Sequence, residues 1–342
     1  MTAAEARYDI AVIMPVLNEE KFIGQTLEQI YHQEFPADKV EIVIADGGST
    51  DRTREIAESF KSRFGSLKVL DNPVRRPSSG RNVGVKNSTA PYVVVMDGHT
   101  FIPSKHLLRD IIQFFKTTGA ACLCRPQPLT PPDINPFQKA VSLCRGSALG
   151  HKPGSEIYSD FEGEVDPTSS GAMYARSLFD EIGYFDEQYD ACEDVDFNFR
   201  IRKAGLRSFL SPRLKVLYYP RATFRGLWRQ MMRYGRGRFQ FAMKHRQVAL
   251  VQWLAAAGVM GFAVLLVMAP FSVRTAAIFG AATVAYLWVV ALYSVFLALK
   301  RKHGACLRYG PIIFPTIHFG LGVGFLLGLY EKVTNKARRG GP

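Results

Sequence analysis

Three apolar runs, at residues 248–273, 276–299 and 312–330, occupy the end of this chain, and their lengths of 26, 24 and 19 residues restrict what their backbone can do. About 20 apolar residues in a helix cross a bilayer's hydrocarbon, because there every N–H and C=O must be satisfied inside the segment. The first two runs exceed that length and the third just reaches it. A buried hairpin of a soluble protein is the competing reading of the first two, but runs this long are rare in globular cores. The third contains Pro315 and His318, with five glycines from Gly310 to Gly328, and reads as a further crossing or as a re-entrant segment.

The formal net charge of +13 is spread unevenly over the 342 residues. Residues 1–220 carry 26 Lys and Arg against 29 Asp and Glu, whereas residues 221–342 carry 17 against Glu331 alone. A chain built for nucleic acid carries its cations on a soluble surface. Here they flank the apolar runs, which implies an anionic membrane surface and no nucleic acid. Arg274 alone separates the first two runs, and Lys300, Arg301, Lys302 and Arg308 follow the second, so the positive-inside rule puts the N-terminal domain in the cytoplasm. Lys332, Lys336, Arg338 and Arg339 conflict with three full crossings on the same rule. Residues 1–7 are polar and open no signal region. Cys122, Cys124, Cys144, Cys192 and Cys306 fit a reducing compartment with no framework of pairs.

Segments 10–15, 23–34, 40–45, 52–64, 67–70, 79–87 and 92–96 alternate between strand and helix patterns, which predicts an α/β parallel sheet with helical crossovers. A proline-rich turn at 125–135 separates them from a segment that reaches residue 220 and is expected to contact an acceptor. Arg221, Arg225, Arg229 and Arg233 recur every fourth residue among Phe224, Trp228, Met231, Met232 and Phe239, the pattern of an amphipathic helix lying in the headgroup layer with its apolar face down. The expected organisation is a catalytic domain at 1–220, a basic interface helix at 221–247, a membrane region of two or three helices at 248–330 and a basic tail at 331–342.

Chemistry concentrates where strands end. The run YVVVMDGHT breaks into Asp97 and His99 at the carboxyl edge of the expected sheet, where α/β proteins bind ligands. A carboxylate and an imidazole two residues apart can share a divalent ion that bridges diphosphate oxygens, Mn²⁺ being favoured over Mg²⁺ because it accepts imidazole more readily. Asp46 ends a strand in IADGGSTD, where its carboxylate can bond a nucleobase or ribose, or serve an ordinary Asp-Gly-Gly turn. Glu193 and Asp194, followed by Asp196 and Arg200, open an amphipathic helix whose acidic start suits the helix dipole. One of these carboxylates, Asp194 by preference, can act as a base while its neighbours bond locally.

In this order MPVLNEE, ADGGSTD, GRNVG, MDGH, GYFDE, CEDVDFNFR and RQMMRYGRGR resemble family 2 inverting glycosyltransferases of the GT-A fold, over residues 9–238. The resemblance is nearest to bacterial succinoglycan-type exopolysaccharide enzymes, which extend a saccharide on a polyprenyl diphosphate carrier. It implies a Rossmann-like mixed sheet and a nucleotide-sugar donor, UDP-glucose by inheritance. Pro15, Asn18 and Glu19 then belong to the nucleotide pocket, Asp46 to the base, and Arg81 lies near the donor. Asp97 with His99 takes the metal position, and Asp194 in the Glu193-Asp194 pair is the catalytic base. Gln230, Arg233 and Tyr234 resemble a variant of the Gln-x-x-Arg-Trp signature that approaches diphosphate and acceptor. His99 and Tyr234 depart from the family's aspartate and tryptophan. Two or three spans are too few for a polymer channel, so one sugar is expected per lipid-linked saccharide acceptor, with the enzyme in the bacterial inner membrane. The rival readings are a polyprenyl-phosphate glycosyltransferase, which needs no strong base, and a non-catalytic membrane regulator that binds a nucleotide sugar.

Overall fold

The computed structural model describes residues 7–151, 156–158, 160–247 and 250–339. The start of the first apolar run, at 248 and 249, and the end of the basic tail, at 340–342, lie outside the described residues. In chain order the elements are β1 (Ile10–Val16), α1 (Ile23–Tyr31), β2 (Val40–Asp46), α2 (Thr53–Ser59), β3 (Ser66–Asp71), α3 (Pro77–Lys86), β4 (Tyr92–Val95) and β5 (Thr100–Phe101). There follow α4 (Leu107–Thr118), β6 (Cys122–Cys124), α5 (Pro136–Arg145), β7 (Gly163–Glu164), β8 (Gly171–Ala175), α6 (Ser177–Ile182), α7 (Glu193–Lys203), β9 (Ser208–Leu210) and β10 (Leu217–Tyr218). Four helices complete the chain: α8 (Phe224–His245), α9 (Leu250–Met268), α10 (Val273–Arg301) and α11 (Ala305–Arg339).

These elements form two compact units, one of residues 1–131 and 154–219, the other of residues 132–153 and 220–342. The expected catalytic span 1–220 thus includes a stretch, 132–153, that packs within the second unit.

In the first unit eight strands form one sheet in the order β3-β2-β1-β4-β8-β6-β9-β7. β1 to β4 are parallel, as the strand-helix alternation predicts, but β8 runs antiparallel between β4 and β6. The sheet is therefore mixed rather than all-parallel. β8 is entered from a loop instead of a helical crossover, and its five residues, GAMYA, carry little strand signal. Side-chain alternation on β1 serves both faces. Ile10, Val12, Met14 and Val16 meet α1, α2 and α4 in one apolar cluster, while Ala11 and Ile13 meet α3, α6 and α7 in another. Gly80 and Gly84 seat α3 directly on β1: a β-carbon at Gly80 would come 2.9 Å from Pro15 Cβ, and one at Gly84 would overlap Ile13.

The second unit contains three helices long and apolar enough to cross a membrane. α11 is one continuous helix through Pro311 and Pro315, so the re-entrant reading of residues 312–330 does not hold. It is also the hub of the unit. Half of its most apolar window is buried, against 6% for α9, which leaves α9 to face outward. Its glycines explain this, since each marks a close helix–helix approach. Gly310 lies against Ser294 of α10, Gly322 against Ala255 and Val259 of α9, and Gly320, Gly324 and Gly328 against Met231, Met232 and Phe239 of α8.

That contact corrects the expected placement of the basic helix. α8 spans Phe224–His245, and its apolar face is buried against α11 rather than turned down into headgroups. Gly235 of α8 meets the backbone of Leu321 in return, and Arg236 pairs with Glu331 at 3.0 Å. Arg221, Arg225, Arg229 and Arg233 remain on the exposed side. Gly324→Leu should destabilise the folded protein by about 1–3 kcal/mol through overpacking. Gly280, with nothing near its missing β-carbon, supplies the control. Detergent-phase thermal unfolding in which Gly324→Leu and Gly280→Leu behaved alike would refute the packing assignment.

Candidate active site

The loops after β1 and β2 are laced together at the sheet's carboxyl edge. Asn18 adopts a left-handed backbone (φ 56°), which asparagine tolerates, and accepts from Thr50 N–H at 2.9 Å while its own N–H donates to Ser49 Oγ at 2.9 Å. Glu19 N–H donates to Thr53 Oγ1 at 2.7 Å. Asp46 is buried and accepts from the Ser49 N–H (3.1 Å) and hydroxyl (2.6 Å). The turn chemistry that a bare Asp-Gly-Gly suggests is thus present, and a carboxylate with four lone-pair directions retains capacity beyond it. Pro15 is pinned against Gly80.

Two residues past β4, Asp97 begins the turn that carries His99. Thr26 of α1 fastens this turn by donating to Gly98 O (2.7 Å) and Thr100 O (2.9 Å). His99 Nδ1 stands 2.8 Å from Glu19 Oε1, and the ring meets Tyr218 edge-on at 6.0 Å. Glu19, expected in the nucleotide pocket, is therefore engaged with the imidazole. A carboxylate on one ring nitrogen is the arrangement by which metal-ligating histidines are oriented.

The segment 185–189 and the start of α7 are stitched to α3. Asn82 exchanges hydrogen bonds with the backbone of Phe185 (2.9 and 3.0 Å), and Ser78 donates to Tyr189 O at 2.7 Å. Arg81, between the glycines that seat α3, points its Nη2 to Glu193 Oε1 at 3.0 Å, both side chains being buried. Of the three acidic residues opening α7, Glu193 binds Arg81 and Asp196 binds Arg200 at 3.2 Å. Asp194 is the half-buried one, and among the described residues its Oδ1 accepts the adjacent Val195 N–H at 2.8 Å.

The electrostatics join these groups into one cluster. Burial alone would lower the Arg81 pKa, but the carboxylates of Glu193, Asp194 and Asp97 outweigh it and hold Arg81 above its ordinary value. Burial, opposed by Arg81 and reinforced by Asp194 and Asp97, pushes Glu193 up to about 7. Asp97, Arg81, Glu193 and Asp194 thus share one electrostatic neighbourhood. Gln230, Arg233 and Tyr234 belong to the other unit, where Gln230 Nε2 donates to Tyr234 OH at 3.3 Å and Arg145 lies over the Tyr234 ring at 5.7 Å.

Sequence reading passed over Arg125 and Tyr218. Arg125 is fully buried just past β6 and donates from Nη2 to Val95 O (2.9 Å) and Tyr218 OH (3.0 Å). Its one sequence signal is an arginine directly after an apolar Cys-Leu-Cys strand, in a position that a turn-rich segment disguises. Tyr218 is brought beside His99 only by the pairing of β10 with β5.

A parallel half-sheet with a carboxylate-bearing turn at its carboxyl edge, faced by an acidic helix start, is the architecture of enzymes that act on nucleotide-activated donors. The glycosyl transferase family 2 profile matches residues 11–183, just over half of the chain, and the protein belongs to that family of glycosyltransferases. Succinoglycan biosynthesis protein ExoA of Rhizobium meliloti (strain 1021) is 29% identical over 88% of this chain and 88% of its own. A Methanococcus voltae protein, dolichyl N-acetyl-alpha-D-glucosaminyl phosphate 3-beta-D-2,3-diacetamido-2,3-dideoxy-beta-D-glucuronosyltransferase, is 24% identical over 94% of this chain and 97% of its own. The solved mannosyltransferase PcManGT from Pyrobaculum calidifontis, in complex with GDP-Man and Mn²⁺, is similar with a TM-score of 0.62 at 20% identity, covering 96% of this chain and 89% of that one. S. aureus TarS 1-349 with UDP-GlcNAc gives a TM-score of 0.53 at 17% identity over 97% and 92%, and the chain spans 45% of a longer TarS. These likenesses establish the GT-A fold.

A carboxyl pKa raised from 4.5 to about 7 means that the folded state holds a proton the unfolded state has released. Stability from this group is present at low pH and is lost as pH rises through that window. Wild type should therefore lose more stability between pH 5 and 8 than Glu193→Gln, by up to a few kcal/mol at about 1.4 kcal/mol per unit. Parallel stability profiles for the two proteins would contradict the assignment.

Proposed function

We propose that this glycosyltransferase moves one sugar, with inversion, from a nucleotide sugar to a lipid-linked saccharide acceptor at a membrane surface, in exopolysaccharide or related glycan biosynthesis. The observation that carries the reading is the division of labour at the start of α7. Glu193 and Asp196 are bound to arginines, whereas Asp194 is half-exposed in the same electrostatic cluster as Asp97. Asp194 takes the proton of the acceptor hydroxyl, that oxygen attacks the anomeric carbon from the face opposite the leaving group, and the nucleoside diphosphate departs with the bonding pair. The neighbouring Arg81 and Glu193 hold Asp194 in place, and Asp46 with Asn18 and Pro15 frames the nucleotide side.

The residues present fit a divalent ion that draws much of its coordination from the donor. Asp97 offers a carboxylate and His99 an imidazole whose Nδ1 is oriented by Glu19. No cluster of three or more His, Cys, Asp or Glu side chains suited to a metal occurs among the described residues, so phosphate oxygens and water would complete the shell. Such an ion, Mn²⁺ in preference to Mg²⁺, would supply charge neutralisation for the departing diphosphate.

Neighbours bound to GDP-Man and UDP-GlcNAc support a nucleotide-sugar donor, and relatives named for succinoglycan and dolichyl-linked glycan synthesis support a lipid-linked acceptor. Three apolar helices and the exposed arginines of α8 suit a membrane site, with the positive-inside rule favouring the cytoplasmic face of a bacterial inner membrane. Gln230, Arg233 and Tyr234 are proposed to approach diphosphate and acceptor.

Asp194→Asn should lower kcat by about 10²-fold or more while nucleoside diphosphate affinity stays within about threefold. Retention of most turnover in that variant would remove Asp194 as the base and favour a phosphate acceptor. Chelation should suppress transfer, with Mn²⁺ restoring it better than Mg²⁺, in an assay of purified full-length enzyme with lipid extract and a nucleotide-sugar panel. Full activity in chelator would sink the metal assignment.

A further inference from the structure

At the carboxyl edge β4 and β6 end on either side of the start of β8, and the residues there on β8 and β6 have no role so far. β8 pairs antiparallel with β4, Val94 lying opposite Met173, so the residue before β8, Ser170, and the turn after β4 that begins at Asp97 lie at the same sheet edge. On its other side Cys124 of β6 lies opposite Gly171, and one step on Arg125 N–H donates to Ser170 O at 3.0 Å. Asp97 just past β4, Ser170 just before β8 and Arg125 just past β6 therefore stand at neighbouring ends of three adjacent strands.

Ser170 and Arg125 have unused polar groups. Arg125 is 1% exposed and spends only Nη2 on the protein, at Val95 O and Tyr218 OH. Its Nε and Nη1 have no hydrogen-bond partner among the described residues, and neither does the Ser170 hydroxyl, itself 1% exposed. Nε and Nη1 together carry three N–H donors of a permanent cation. Shielding them from water without acceptors is costly, and buried polar groups of folded proteins are rarely left so. Holding Val95 and Tyr218 would need only one nitrogen.

The sheet order indicates which part of a donor would reach them. Asp46 on β2 lies two strand positions to one side of β4, and β6 lies two positions to the other. A donor with its base at Asp46 and its diphosphate at Asp97 extends its sugar toward β8 and β6. We propose that Arg125 and Ser170 form the subsite that binds acceptor oxygens, hydroxyl or carboxylate, of the transferred sugar, and that Arg125 sets donor-sugar specificity. The proposal deepens the nucleotide-sugar reading above and rests on it.

The test compares affinity for UDP-glucose, UDP-glucuronate and GDP-mannose with affinity for UDP and GDP, by calorimetry on the full-length protein. Ser170→Ala removes a hydroxyl that no described protein group uses, so its Tm should equal that of wild type. It should weaken the preferred nucleotide sugar about three- to tenfold, the worth of one hydrogen bond, and the bare nucleoside diphosphate less than twofold. Arg125→Lys should weaken the sugar donor tenfold or more and change the ranking of neutral against carboxylate-bearing sugars, again sparing the nucleoside diphosphate. Equal losses for donor and nucleoside diphosphate would assign Arg125 to the phosphates and overturn the proposal. Unchanged donor affinity in both variants would overturn it as well. Because the readout is binding, a wild type that binds donor without transferring it would refute the proposed reaction alone, whereas one that binds neither ligand would refute both.

Discussion

The active half of this enzyme depends on one buried ion pair, Arg81 with Glu193 at 3.0 Å. A buried guanidinium that loses its partner is costly, so the contact between Arg81 and the Glu193 carboxyl group ties its two helices together. α3 cannot drift, because Gly80 and Gly84 press it onto β1. Glu193 cannot drift without taking from the buried Arg81 guanidinium the partner that stands 3.0 Å away. The start of α7 is consequently registered to the central sheet, and Asp194 and Asp97 are brought into one electrostatic neighbourhood around Arg81. The hydrogen bonds of Ser78 and Asn82 to segment 185–189 extend the same seam.

A second constraint organises the unit of apolar helices. α11 has to pack against four helices at once, α5, α8, α9 and α10, and its glycines fall where the last three crowd in. In lipid there is little hydrophobic force between apolar helices, so close van der Waals approach through small residues takes over. α8 benefits: its apolar face is covered by protein, and Arg225, Arg229 and Arg233 stay on the exposed side. The features that made residues 312–330 look unlike a span, glycine and proline, are those of a helix buried among helices.

Much of the site was legible because its residues sit at ends of regular elements. An apolar run terminated by Asp97 and a strand terminated by Asp46 announce the carboxyl edge of a sheet, and the acidic cluster at 193–196 announces a helix start. The partners were not legible. Glu19 and His99 are eighty residues apart and meet only through the turn held by Thr26. Arg125 and Tyr218 meet through the returning strand β10, two residues long and without periodicity. The antiparallel insertion of β8 escaped notice for the same reason, since five residues of mixed character carry no pattern that local physics could single out.

Composition and periodicity by themselves determined that the chain has an α/β sheet, two helices of bilayer length followed by a third apolar run, and carboxylates at strand ends, because each property is local and repeats along the chain. Tertiary structure alone decided which carboxylate is left half-exposed, which arginine neutralises which acid, and that α8 packs on α11 rather than lying apolar face down in the headgroups. Those outcomes depend on burial and on distances between residues far apart in sequence, where the cost of an unmatched charge or a misplaced β-carbon is set by the folded surroundings.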